Sequence, residues 1–139
     1  MFNKILVAVD GSRIARKSLE AAIDLAQRYR ASVCALSVVQ LPEYAAMVGE
    51  VKEAQEEGKK FFERILEEGA ALAAEEGVTM ETRVMFGHPA EVIIRVAQQE
   101  KFDLIVIGYK GTSEIRRFLL GSVSDRVTDH APCTVMLVK

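Results

Sequence analysis

What this chain lacks narrows its chemistry first. No lysine- and arginine-rich run appears that would make a nucleic-acid surface, and there is no acidic tail; 18 basic residues against 20 acidic ones leave a formal net charge of -2. No apolar run approaches the ~20 residues needed to cross a bilayer. Met1-Phe2-Asn3-Lys4 leads straight into a strand pattern, without the organisation of a signal peptide. The expectation is a cytoplasmic protein with neither a nucleic-acid nor a membrane partner. Cysteine is scarce as well. Cys34 and Cys133 each sit in an apolar run and form no Cys-x-x-Cys pair, which argues against redox or zinc chemistry and for buried, reduced thiols. Internal repeats, low-complexity tracts and an interdomain linker are also absent, so residues 1–139 read as one domain.

What is present is an alternation. Ile5-Leu6-Val7-Ala8-Val9, Val33 to Val39, Met80 to Phe86, Leu104 to Ile107 and Thr134 to Val138 are short, largely apolar runs. Continuous apolar runs suit strands covered on both faces, as in a parallel sheet. Between them, apolar residues at 15, 19, 22, 23, 26 and 29 mark a half-buried helix over 15–30, and a similar period marks 51–76. Gly58 and Gly69 weaken that second helix by about 1 kcal/mol each relative to alanine, a cost that close packing on the sheet would explain. Pro89 starts a third helix where a missing N–H is tolerated. Ser122-x-x-Asp125 opens a fourth with the pattern of a capping box. The order predicts an α/β fold: a three-layer, doubly wound, five-stranded parallel sheet of strand order 3-2-1-4-5. Ligands bind such sheets beyond the carboxyl ends of strands one and four, where the winding reverses.

The unusual residues follow those two strands. After strand four comes Gly108-Tyr109-Lys110-Gly111, then nine residues, then Gly121-Ser122. Gly108 lets the backbone turn away from the sheet, and Gly111 and Gly121 leave room for a ligand beside main-chain N–H groups. Ser122 opens a helix whose free N–H groups and positive dipole end favour an anion. A phosphate chain needs such a cradle. After strand one comes Asp10-Gly11-Ser12. The Asp10 carboxylate can accept from ribose hydroxyls or help hold a phosphate-bound metal ion; alternatively it shapes the turn while Ser12 caps the first helix.

Val7-Ala8-Val9-Asp10-Gly11-Ser12 and Gly108-x2-Gly111-x9-Gly121-Ser122 together resemble the universal stress proteins, and the second motif resembles their ATP-binding branch. The likeness runs the length of the chain, including Gly87-x-Pro89 and Pro132-Cys133-Thr134-Val135. The resemblance implies a flavodoxin-like, adenine nucleotide-binding sandwich that binds ATP, with Mg or Mn carried on the phosphates, and acts in stress signalling. It implies main-chain contacts from Val38 to adenine and a ribose contact from Asp10. Gly108, Gly111, Gly121, Ser122 and the backbone of Val123 would hold phosphate. Lys110 either reaches phosphate or is solvated, and Arg116 and Arg117 read as a solvated face. An unnamed protein partner is implied too.

Other chemistries fit less well. A response regulator needs an aspartate after strand three, where Phe86-Gly87-His88 stands; neither a dinucleotide fingerprint nor a Walker A loop is present. His88 and His130 read as structural or surface residues, and no nucleophile–base set emerges, although slow ATP hydrolysis stays open beside plain binding. A nucleotide-free dimeric scaffold of the same fold is the other reading. Strand five would leave an apolar edge, so a homodimer through that strand is expected. Gln40 to Glu50 is expected to be a mobile wall over the base-binding side. Two strands should separate Cys34 from Cys133, too far for a disulfide.

Overall fold

A computed structural model of the chain describes residues 1–40, 48–110 and 121–139, Val48 by its backbone alone. Strands and helices alternate as β1 (Lys4–Ala8), α1 (Arg13–Tyr29), β2 (Ser32–Val39), α2 (Val48–Glu75), β3 (Met80–Phe86), α3 (Pro89–Gln99), β4 (Leu104–Gly108), α4 (Ser122–His130) and β5 (Thr134–Val138). The strands pair in parallel in the order β3-β2-β1-β4-β5, as the sequence led us to expect.

Successive side chains of a strand point to opposite faces, and here both faces are covered. Ile5, Val7 and Val9 enter a core shared with α1 and α2, whereas Leu6 enters a second core shared with α3 and α4. Strand β4 divides in the same way, Leu104 and Val106 against Ile105 and Ile107. Both sets must therefore be apolar, and the runs are continuous for that reason. On α1 the buried stripe is Ala15, Leu19, Ala22, Ile23 and Ala26, the periodicity read from the sequence.

Helix α2 lies close to its neighbours because of two glycines. A Cβ on Gly58 would sit 2.6 Å from Val39, and one on Gly69 would sit 2.7 Å from Leu19. Close packing thus offsets their poor helix propensity. The helix starts three residues before the expected Val51, taking in Gly49 and placing Glu50 in its first turn, where a carboxylate suits the positive dipole end. Most of the expected mobile wall, 41–47, lies outside the described residues, as do Gly111, Arg116 and Arg117.

Both thiols are free, with β1 and β4 between the strand that carries Cys34 and the one that Cys133 precedes. On β3, Arg83 donates to both oxygens of Glu100 at the end of α3, at 2.5 and 3.0 Å, and to Glu81 at 2.9 Å. Those hydrogen bonds hold the Glu100 carboxyl below its ordinary range. Among the described residues no helix is long and apolar enough to cross a membrane.

Candidate functional site at the switch point

Strand β1 hands the chain to α1 on one face of the sheet and β4 hands it to α4 on the other, so a crevice opens between their carboxyl ends. At the end of β1, Gly11 takes φ +85°, a left-handed conformation that side chains disfavour. The Asp10 carboxylate accepts from the Ser12 N–H at 3.0 Å and from the Ser12 hydroxyl at 2.6 Å. Ser12 Oγ accepts in turn from the Ala15 N–H at 3.1 Å and caps α1. Both turn roles weighed for this motif are therefore present, and they use one carboxylate oxygen of Asp10.

Two expectations at the end of β4 need correction. Gly108 is not in the left-handed region, so its backbone conformation does not by itself demand glycine. It is needed because α1 comes close: a Cβ there would collide with Ile14 and lie 3.3 Å from the Lys110 carbonyl. Nor does Ser122 head a capping box. Gly121 is the N-cap of α4, with φ -64° and ψ 154° and no side-chain hydrogen bond. A capping box would need the hydroxyl one position earlier. With a glycine cap, the first N–H groups of α4 stand open to a ligand. The chain is pinched at this point, the Gly121 N–H donating to the Tyr109 carbonyl at 2.7 Å and the Tyr109 N–H to the Val138 carbonyl at 2.9 Å.

Between these ends lies a cavity of about 410 Å³, within the ~300–1,000 Å³ typical of small-molecule sites. Asp10, Val38, Gly108, Lys110, Gly121, Ser122 and Val123 all line it, so every predicted site residue within the described chain meets at one place. Gly111 lies outside the described residues. Lys110 is 3% exposed, which overturns its solvated alternative. Its ammonium stands 5.5 Å from the centre of the Tyr109 ring, which Lys139 also approaches at 5.9 Å. Apolar walls come from Leu36, Ile107, Ile93 and Phe62.

Sequence reasoning missed two hydroxyls. Ser124 is buried and donates to the Gly108 carbonyl at 2.5 Å, tying the first turn of α4 to the end of β4. Ser37, also buried, donates to the Val9 carbonyl at 2.6 Å. The available signal for Ser37 was one polar residue inside the otherwise apolar run from Val33 to Val39.

Fold and site together define a doubly wound α/β domain with a polar-rimmed cavity at its switch point. Comparison with known proteins then places it. Residues 1–139 match the Universal stress protein family, and the chain belongs to that family. It is 37% identical to universal stress protein YxiE of Bacillus subtilis (strain 168), over 100% of both chains. Among solved structures it is similar to universal stress protein UspA from Lactobacillus plantarum, with a TM-score of 0.94 and 30% identity over 99% of this chain and 98% of that one. A universal stress protein in complex with cAMP matches at 0.77 and 26% identity, covering 99% and 97%. The universal stress protein from Archaeoglobus fulgidus in complex with dAMP matches at 0.66 and 26%, covering 99% and 98%.

Proposed function

We propose that this chain is a regulatory stress-response module that binds ATP across the carboxyl ends of β1, β2 and β4. The observation that carries the reading is the cavity itself, which joins a main-chain strand edge at Val38 to the uncapped first turn of α4 at Gly121. A base suits the first end and a multiply charged phosphate chain the second, through charge-assisted N–H contacts. Relatives of this fold solved with cAMP and dAMP support an adenine nucleotide as the ligand class.

The residues also fit a divalent ion carried on the phosphates. Among the described residues no group of three His, Cys, Asp or Glu is placed to hold a metal, and Asp10 is the one carboxylate lining the cavity. Asp10 would therefore supplement phosphate oxygens around Mg or Mn, while Gly108, Gly111, Gly121, Ser122, Val123 and Lys110 hold the phosphates. Bound Mg or Mn would supply charge neutralisation. Binding rather than rapid turnover is the favoured activity, because fast phosphoryl transfer needs more pre-organised charge than these residues supply. The active species is proposed to be a cytoplasmic homodimer joined through β5, with a protein partner reading its nucleotide state.

Calorimetry with ATP and magnesium tests the site. Gly121 has a φ that any residue adopts, so Gly121→Val is expected to leave the fold intact while filling space beside the phosphates. Its affinity should fall more than tenfold, about 1.4 kcal/mol. Asp10→Asn keeps the acceptor for Ser12 and should weaken ATP less. Undetectable wild-type binding at millimolar ATP would leave a nucleotide-free scaffold, and equal affinity in Gly121→Val would place ATP elsewhere.

A further inference from the structure

We infer that Ser37 is a positioning residue that keeps the base-reading edge of β2 open and so sets the preference for adenine. The inference rests on the ATP reading above and starts from the register. Strands β1 and β2 pair from Lys4↔Ser32 to Ala8↔Leu36, and the Val9 N–H adds one further rung to the Leu36 carbonyl at 2.9 Å. In a parallel ladder a residue that donates to one partner accepts from the residue two positions further along the opposing strand. The next rung would therefore run from the Val38 N–H to the Val9 carbonyl. It is replaced: the Ser37 hydroxyl, 1% exposed, donates to that carbonyl at 2.6 Å, and the pairing ends at Ala8.

Hydrogen-bond direction alternates along β2, and this fixes what the substitution leaves behind. The Val39 carbonyl accepts from the Gly87 N–H on the β3 side. Val38 accordingly turns its N–H and C=O toward β1, beyond the point where β1 has ended, and Val38 lines the cavity. A donor and an acceptor lie side by side there. Adenine presents the complement, a ring nitrogen that accepts beside an amino group that donates. Hypoxanthine and guanine present the reverse, a ring N–H beside a carbonyl, and would leave both main-chain groups unpaired. Sites built on such hydrogen bonds discriminate strongly for that reason. Without Ser37 the Val9 carbonyl becomes a free acceptor within one rung of the Val38 N–H. The ladder then zips on, and the donor is lost to the base.

Amide hydrogen exchange by NMR on the nucleotide-free protein reads this directly. The Val38 amide should exchange quickly in the wild type and at least tenfold more slowly in Ser37→Ala, while Ser37→Thr, which keeps the hydroxyl, should stay close to wild type. Calorimetry then compares ATP with inosine triphosphate. Ser37→Ala should weaken ATP at least fivefold and leave inosine triphosphate unchanged, narrowing the ratio between them. A slow Val38 amide in the wild type, or one unchanged in Ser37→Ala, overturns the inference whatever binds. Fast wild-type exchange that slows in Ser37→Ala, without ATP binding to either protein, would uphold the strand-edge device and refute the ATP reading instead. A Ser37→Ala protein that binds both nucleotides as the wild type does overturns the specificity role. Thermal unfolding of the three proteins checks that each is folded.

Discussion

Gly108→Ala should destabilise the fold through one contact, and its cost can be worked from the packing. The position is buried, and the added methyl would overlap the Cγ2 of Ile14 while lying 3.3 Å from the Lys110 carbonyl. The backbone conformation itself is not left-handed, so strain in φ contributes nothing. The penalty is overpacking, typically 1–3 kcal/mol for a methyl forced into a filled space. For a chain of 139 residues each kcal/mol corresponds to about 3–4 °C in Tm, so the variant should melt roughly 3–12 °C below wild type. Ile14 is only half buried, and Ile14→Ala removes the colliding atom at modest cost. Calorimetric melting of both single variants and the double variant closes a thermodynamic cycle. If the collision is the cause, the double variant is more stable than the sum of the singles by at least 0.5 kcal/mol, the lower end of measured couplings. Strictly additive losses would refute the reasoning and leave Gly108 needed for something other than the approach of α1.

Further expectations concern charge, thiols and assembly. Hydrogen bonding to Arg83 depresses the folded-state titration of Glu100, so its contribution is present above the ordinary carboxyl value of 4.5 and is lost as pH falls through the lower folded value; Glu100→Gln should lessen acid sensitivity below about that pH in unfolding titrations. Desolvation by burial pushes the Cys34 thiol from 9.0 up to about 11, so native protein should resist alkylation there at pH 8 and react on unfolding. The same shift makes stability fall as pH rises from about 9 through about 11, a slope that Cys34→Ala should flatten. Light scattering at micromolar protein should give twice the chain mass. The Val138 carbonyl faces β4, so by alternation Leu137 turns its N–H to the open edge, and Leu137→Pro, which removes that donor, should return a single-chain mass.

The sheet was legible because its cause is local. The central strands β1 and β4 bury both faces, so their residues are apolar almost without interruption, and strand order follows from alternation and the reversal of winding at Gly108 and Asp10. The site was legible as a set of positions after two strands. What escaped were departures that depend on three-dimensional approach. Gly108 looked like a turn glycine because nothing in the chain announces that Ile14 comes to rest on it. Ser122 looked like a cap, although Gly121 holds that place, because both residues are acceptable there. The early start of α2 was hidden by Gly49, a poor helix former in the first turn. Ser37 and Ser124 escaped because their carbonyl partners, Val9 and Gly108, are distant in the chain.

The short hydrogen bond between Gly121 and Tyr109 has a consequence for how such domains diversify. It fastens the two ends of the segment 110–120 to each other and, through Tyr109, to the last strand, so the sheet carries the same geometry whatever lies between. For a loop with fixed ends, doubling its length adds only about 0.6 kcal/mol of closure entropy. Changes of length between Gly111 and Leu120 are thus cheap for the fold, and the two residues that flank this stretch, Lys110 and Gly121, both line the cavity. A lineage can vary this stretch of sequence without renegotiating its core, and a laboratory can graft a reporter at the same place.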